Sequence, residues 1–219
     1  IESAVDAVLS KARLPIVLGG EHTVSLGAVK ALTSRSKFTL VCLDAHADLR
    51  SEYQGSAYSH ACYLRRASEL VDCCAFGVRS MSFEESKYAR EVGLRMFFAD
   101  RIIDAGIRGA DLGFLPESIY LSIDLDVFDP SIMPSTGTPE PGGLGWYQVT
   151  GLLEEVIKGR KILGFDIVEL CPQIGNPAAD FTAAKLLYKV MGLILKFSKN
   201  GRGEVAYHGK EKVQEESAP

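Results

Sequence analysis

Two hydrophobic rhythms alternate along the chain: continuous apolar runs that suit buried strands, and longer stretches with apolar positions three and four residues apart that suit helices. Ile1 to Ala12 is the first helical stretch, with Ala4, Val5, Val8 and Leu9 on one face. Leu14 to Leu18 is a short strand that stops at Gly19-Gly20-Glu21-His22, before a helix over Thr23 to Leu32. The run Phe38 to Leu43 is a strand, and the polar, small-residue segment Ser51 to Ser59 is a loop above the strand ends. Further elements are a helix over Ala61 to Leu70, a strand over Val71 to Val78, and a helix over Ser82 to Val92 with a Ser82/Glu85 capping box. A strand over Leu94 to Phe98 and a short helix over Arg101 to Ala110 come next, then a strand over Ile119 to Ile123. Ser131 to Gly145, rich in proline and glycine, is a long loop, and loops of that kind in compact domains are usually functional. A helix over Tyr147 to Ile157, a strand over Ile162 to Val168 and a long helix over Ala178 to Phe197 complete the pattern. The apolar stripe of that last helix, Phe181, Leu186, Leu187, Val190, Leu193 and Ile194, reads as core packing.

Strands alternating with helices predict an α/β fold of three α/β/α layers around a mainly parallel sheet. In such sheets sites form outside the carboxyl ends of the strands. His22, Asp44, His46, Asp48, Asp124, Asp126 and Glu169 all fall at strand ends of that kind, and four strands therefore point chemistry at one rim.

The densest cluster is Leu43-Asp44-Ala45-His46-Ala47-Asp48, where alternate residues can converge as the strand gives way to a loop. Two carboxylates and an imidazole at the edge of an apolar core are costly to hold together unless a cation neutralises them. The plainer alternative is a set of turn residues, with His46 capping a backbone group and His22 lying idle near a helix N-terminus. Four aspartates and two histidines at one rim exceed what one ion requires, so two ions sharing bridging carboxylates are expected. Imidazole and carboxylate without cysteine suits Mn2+, Zn2+, Fe2+ or Co2+, and the carboxylate majority tilts the choice towards manganese.

Composition narrows the partners. The chain has 219 residues, 47% hydrophobic, enough for one sizeable core. A formal charge of −4, with no Lys/Arg-rich block, argues against nucleic acid or an anionic membrane and leaves a small molecule as the partner. No apolar run reaches the ~18 residues that span a bilayer, and no secretory signal is recognisable. Five cysteines without CxxC spacing read as reduced thiols, so a cytoplasmic location is expected. No Met precedes Ile1, and the chain is expected to begin inside a longer protein. Residues 1–198 are expected to form one domain and 199–219 a polar tail, with His208 an exposed surface histidine.

Gly-Gly-Glu-His at 19–22, Asp-Ala-His-Ala-Asp at 44–48 and Ser-Ile-Asp-Leu-Asp-Val-Phe-Asp-Pro at 122–130 resemble the signatures of the ureohydrolases, the arginase and agmatinase superfamily. The resemblance extends through Thr138-Pro139-Glu140-Pro141-Gly142-Gly143 and Asp166-Ile167-Val168-Glu169, and covers about Pro15 to Ile194. The family's usual first strand, with its loop and helix, has no counterpart here, so part of the pocket wall is expected to be absent.

The resemblance implies an arginase-like fold and two manganese ions per chain. One would be held by His22, Asp44, Asp48 and Asp124, the other by Asp44, His46, Asp124 and Asp126, with Asp44 and Asp124 as bridges. Water activated between them would attack the guanidinium carbon of the substrate, oriented by Asp48. Glu169 matches the glutamate that pairs with the guanidinium, and His60 the histidine that shuttles a proton to the leaving amine. Residues 48 to 60, with Glu52-Tyr53-Gln54-Gly55 before Ser59-His60, are more similar to agmatinases than to arginases. Arg50 stands where arginases carry an asparagine for the amino-acid carboxylate, and Glu52 adds a negative charge to the same loop. The substrate implied is agmatine, cleaved to putrescine and urea as in polyamine biosynthesis. Guanidinobutyrate is the alternative, because Arg50 suits an anionic tail. A one-zinc deacetylase-like site fits the Asp48 and Asp126 ligands poorly, and a metal-binding scaffold without catalysis fits poorly with His60 and Glu169. The family also implies a homo-oligomer, a trimer or hexamer.

Overall fold

The computed structural model describes residues 1–106 and 112–200. Its elements are α1 (Glu2–Leu9), β1 (Ile16–Leu18), α2 (Val24–Thr33), β2 (Thr39–Leu43), a 3-10 turn (His60–Cys62), α3 (Tyr63–Ser68) and β3 (Asp72–Val78). They continue with α4 (Phe83–Val92), β4 (Arg95–Phe98), α5 (Ala99–Ala105), β5 (Ser118–Asp124), a second 3-10 turn (Leu125–Val127), α6 (Trp146–Ile157), β6 (Lys161–Val168) and α7 (Pro177–Phe197).

The strands form one parallel sheet in the order β1-β6-β5-β2-β3-β4. Every residue of β2 is buried, as expected for a central strand covered on both faces. Its side chains alternate between two cores. Val41 and Leu43 join Phe76, Leu121 and Phe165 beneath α5, α6 and α7. Leu40 and Cys42 join Ala75 and Tyr120 beneath α1, α2, α3 and α4. The three-layer α/β/α architecture is therefore as the hydrophobic pattern implies.

The rim is shaped by local backbone chemistry. Gly77 has φ +94°, at a register shift between β3 and β4, and a Cβ there would lie 2.7 Å from Val127 Cγ2 and 3.2 Å from the Asp44 carbonyl. Only glycine lets β3 pass that close beneath the Asp44 turn. The Ser82/Glu85 capping box forms, and α4 ends on Gly93 in the left-handed region.

Several elements differ from the sequence pattern. Phe181 is 78% exposed, because the buried stripe of α7 runs through Ala179, Ala183, Leu186 and Val190, and a residue two positions from Ala179 falls on the opposite side. Ala4 is likewise exposed, and α1 buries Val5 alone. Helix α5 begins at Ala99, two residues earlier than the pattern suggests, and most of the expected continuation to Ala110 lies outside the described residues, as does His208. The start of the expected polar tail is fastened to the sheet, since the Asn200 amide both donates to the Ile162 carbonyl (2.8 Å) and accepts from its N–H (3.2 Å). Among the described residues no helix is long and apolar enough to cross a membrane. All five cysteines are free; Cys42, Cys62 and Cys74 are buried, Cys73 partly so, and Cys171 is exposed.

Candidate metal centre

The adjacent strands β1, β6, β5 and β2 deliver the site at their carboxyl ends. Beyond β1, the turn at Gly19-Gly20 carries His22 to full burial just before α2. Asp44, His46 and Asp48 follow β2; Asp124 ends β5 and Asp126 lies in the next 3-10 turn; Glu169 follows β6. Asp48 and Glu169 adopt φ +50° and +66°, a region that non-glycine residues rarely occupy and that concentrates at functional sites. Both are held there by their surroundings: the Asp48 carbonyl accepts from the Arg65 amide (3.0 Å), and the Glu169 amide donates to the Gly20 carbonyl (2.8 Å).

The side chains gather into two adjoining groups. His22 Nδ1 lies 3.1 Å from Asp44 Oδ2, 3.2 Å from Asp124 Oδ2 and 3.4 Å from Asp48 Oδ2. His46 Nδ1 lies 2.9 Å from Asp126 Oδ2 and 3.7 Å from Asp44 Oδ1. Asp44 thus turns one oxygen to each histidine, the disposition a bridging carboxylate needs. Asp124 touches the first group through Oδ2, whereas its Oδ1 accepts the Asp126 amide (2.8 Å).

Whether these residues suit cations can be judged from an orphaned atom. His22 Nδ1 is fully buried and has no hydrogen bond of normal geometry, although three carboxylate oxygens surround it. One N–H could serve one of those oxygens; a cation where they meet would serve them all. The electrostatics agree. Burial and the neighbouring Asp44 charge push Asp48 up to about 7, and burial together with nearby carboxylates raises Asp124 and Asp126. Burial opposes a charged His46, yet its hydrogen bonds to Asp126 and Asp44 carry it up to about 11, and the same contest leaves His22 well above the usual histidine range. Against the pull of burial, both histidines hold Asp44 below the ordinary carboxylate range. Without ions, protons neutralise the cluster, and metal binding would displace them. Cys42 also approaches, with Sγ 4.0 Å from His22 Nε2 and 3.9 Å from Asp44 Oδ2. It sits against Nε2, the ring nitrogen facing away from Asp48 and Asp124, and burial raises its thiol well above the usual range.

Beside the histidine–carboxylate cluster opens a cavity of about 350 Å³, large enough for a small ligand, whose lining includes Asp126, Arg50, Tyr53, His60, Thr138 and Glu169. His60 opens the 3-10 turn rather than lying free in the loop, and the Tyr53 ring stands edge-on to it at 5.6 Å. The Arg50 guanidinium lies over Tyr53 at 5.3 Å. Glu52 is exposed and is absent from the described lining, because Tyr53 and not its neighbour faces inward. Burial raises the Glu169 carboxyl.

Three supports were not read from the sequence. Glu85 does more than cap α4: its Oε2 accepts from Ser82 and its Oε1 from the Leu49 amide at 3.0 Å, fixing the backbone beside Asp48. The Arg79 guanidinium donates to the carbonyls of Asp126 (2.7 Å), Phe128 (3.2 Å) and Glu140 (2.9 Å), clamping the Asp126 turn to the long loop. Its position just beyond the β3 end was the available signal. Tyr63 stacks on the His22 ring at 4.2 Å, a contact between distant segments that periodicity cannot reveal.

This constellation can be set beside known proteins. The family model described as Arginase family matches residues 1–192. The chain belongs to the arginase family. Within it, the chain is 47% identical over 189 residues to an N(1)-aminopropylagmatine ureohydrolase of Thermococcus kodakarensis, covering 85% of this chain and 64% of that protein. It is also 47% identical to an agmatinase of Pyrococcus horikoshii over 184 residues, 82% of this chain and 62% of that protein. The solved structure of agmatine ureohydrolase of Thermoplasma volcanium superposes with a TM-score of 0.81 at 38% identity, covering 88% of this chain and 66% of that one. This arginase-family chain thus spans about three-fifths of the length of the curated relatives it matches.

Proposed function

We propose that the site hydrolyses the guanidinium group of an agmatine-type amine, releasing urea and a diamine. The observation that carries the reading is the convergence of His22, Asp44, Asp48 and Asp124 on one point and of Asp44, His46 and Asp126 on another, beside a cavity that includes Glu169 and His60.

His22, Asp44, Asp48 and Asp124 would hold one Mn2+, and Asp44, His46, Asp124 and Asp126 a second. When bound, such a pair supplies Lewis acidity that ionises water near neutral pH. Glu169 pairs with the guanidinium and presents its carbon to the attacking water. Its Oε1 is already fixed by the His22 amide (2.7 Å), which orients the carboxylate. Asp48 accepts a hydrogen bond from the attacking water and directs its lone pair at carbon. As the new C–O bond forms and the C–N bond to the alkyl amine breaks, His60 delivers a proton to the departing nitrogen, so that urea and a protonated amine leave with no net proton change.

Two considerations support an amine tail. The relatives with 47% identity are named for agmatine and aminopropylagmatine, which lack the α-carboxylate of arginine. Arg50 is drawn over the Tyr53 ring, where its cation is partly satisfied. The second reading, a 4-guanidinobutyrate hydrolase, is favoured by the same Arg50 lining the cavity, since a cation there suits an anionic tail. Urea release from agmatine, N1-aminopropylagmatine, 4-guanidinobutyrate and arginine by the Mn2+-loaded protein separates them. The expected order of kcat/KM places the two amines first and arginine last; guanidinobutyrate first would establish the second reading.

A further inference from the structure

Behind the metal residues lies a second polar group that the chemistry above does not use. Asp166 sits in the middle of β6, with Phe165 on one side and Ile167 on the other, and it is wholly buried. Ser122, equally buried on neighbouring β5, donates its hydroxyl proton to Asp166 Oδ1 at 2.7 Å. The Ser122 oxygen in turn lies 2.9 Å from His22 Nε2. The hydroxyls of Ser25 and Tyr120 lie beside the same carboxylate without completing hydrogen bonds of normal geometry. A carboxylate buried in a strand paired on both sides is costly unless it is hydrogen-bonded, and Ser122 supplies that bond.

From this relay we infer that Asp166 is a positioning residue, acting through Ser122, that fixes His22 as a metal ligand. The inference rests on the metal-site reading and deepens it. A serine hydroxyl carries one proton. With that proton committed to Asp166, the Ser122 oxygen can only accept, and the partner it accepts from is the N–H at His22 Nε2. Once a metal displaces the second proton, the one that remains on His22 is therefore held at Nε2, and the Nδ1 lone pair is left facing Asp44, Asp48 and Asp124. Were Ser122 free to rotate, its hydroxyl could donate to Nε2 instead, which would move the imidazole proton to Nδ1 and block ligation. Tyr63, stacked at 4.2 Å, restrains the ring plane, and its hydroxyl lies beside Ser122 without completing a hydrogen bond of normal geometry, so the Ser122 lone pair is left to Nε2. The relay reaches only His22, since the described partners of His46 are Asp44, Asp126 and Glu140. Losing it should therefore weaken one ion and spare the other.

The test is Mn2+ binding by metal-stripped protein, with free Mn2+ followed by electron paramagnetic resonance. The wild type should bind two ions. Ser122→Ala and Asp166→Ala should each weaken one of them by about 10–100-fold, the usual effect of losing a partner behind a metal-bound histidine, and leave the other within about twofold. Asp166→Asn, whose amide oxygen can still accept from Ser122, should lose less than Asp166→Ala and also covers the case in which the alanine variant does not fold. Equal weakening of both ions, together with a lower melting temperature of the metal-free protein, would reduce Asp166 to a packing role and overturn the inference. Unchanged affinities in all three variants would overturn it while leaving the metal site standing. A wild type that binds no ion would overturn both readings.

Discussion

The backbone amide of His22 donates a 2.7 Å hydrogen bond to Glu169 Oε1, so a residue assigned to metal and the residue assigned to the guanidinium are fastened together across the β1–β6 pair. The bond leaves Glu169 Oε2 for a ligand. Glu169→Gln should keep Mn2+ content unchanged and lower kcat/KM on agmatine by about 10–100-fold, the range for a lost hydrogen bond to a charged group. Steady-state kinetics beside elemental analysis check both halves. Wild-type kcat/KM in this variant would remove Glu169 from substrate binding.

Asp44 is the carboxylate that faces both histidines, at 3.1 Å and 3.7 Å through different oxygens. Asp44→Asn should therefore release both ions, whereas Asp126→Asn should release chiefly the one beside His46. Elemental analysis after dialysis reads the outcome. Retention of one full equivalent in Asp44→Asn would show that Asp44 does not bridge.

His60 lines the cavity, and among the described residues it belongs to neither histidine–carboxylate group. His60→Ala should retain metal and reduce kcat by ~10²-fold or more, the usual range for a lost general acid. Loss of metal instead would make His60 a ligand.

The metal-free cluster makes the effect of Mn2+ depend on pH, and the sign follows from the shifts. Asp48 rises from an ordinary 3.8 to about 7, so its contribution is present below pH 3.8 and disappears as pH climbs through about 7. His46 rises from 6.5 to about 11, so its contribution is present below pH 6.5 and is lost as pH climbs through about 11. Both leave the metal-free protein weaker as pH rises, where the protons that metal must displace compete less. The rise in Tm on adding Mn2+ should thus be larger at about pH 9 than at about pH 6. An equal or smaller rise at the higher pH would contradict the proton-for-metal exchange.

The layers and the rim were legible in the sequence because parallel strands buried on both faces leave continuous apolar runs, as in Thr39–Leu43, and because chemistry at their carboxyl ends interrupts those runs with charge. Phe181 misled because a helix admits more than one apolar stripe, and only packing decides which is covered. Glu52 lies outside the described lining, since sequence places the loop at the rim without saying which of two adjacent side chains turns inward. Asp166 and Ser122 were visible as polar residues inside strands, yet their partner His22 is brought to them only by the β1–β6–β5 order. Arg79 shows its place beyond β3 in the sequence but not its role, because its partners are backbone carbonyls, which carry no residue signature.

The central claim is that guanidinium hydrolysis at this site runs on two ions. The most direct measurement titrates metal-stripped protein with Mn2+ while urea release from agmatine is followed at each step. The account predicts no urea without metal and a rate that rises until two equivalents are bound. Full activity at one equivalent, or urea release that persists under a chelator, would contradict it.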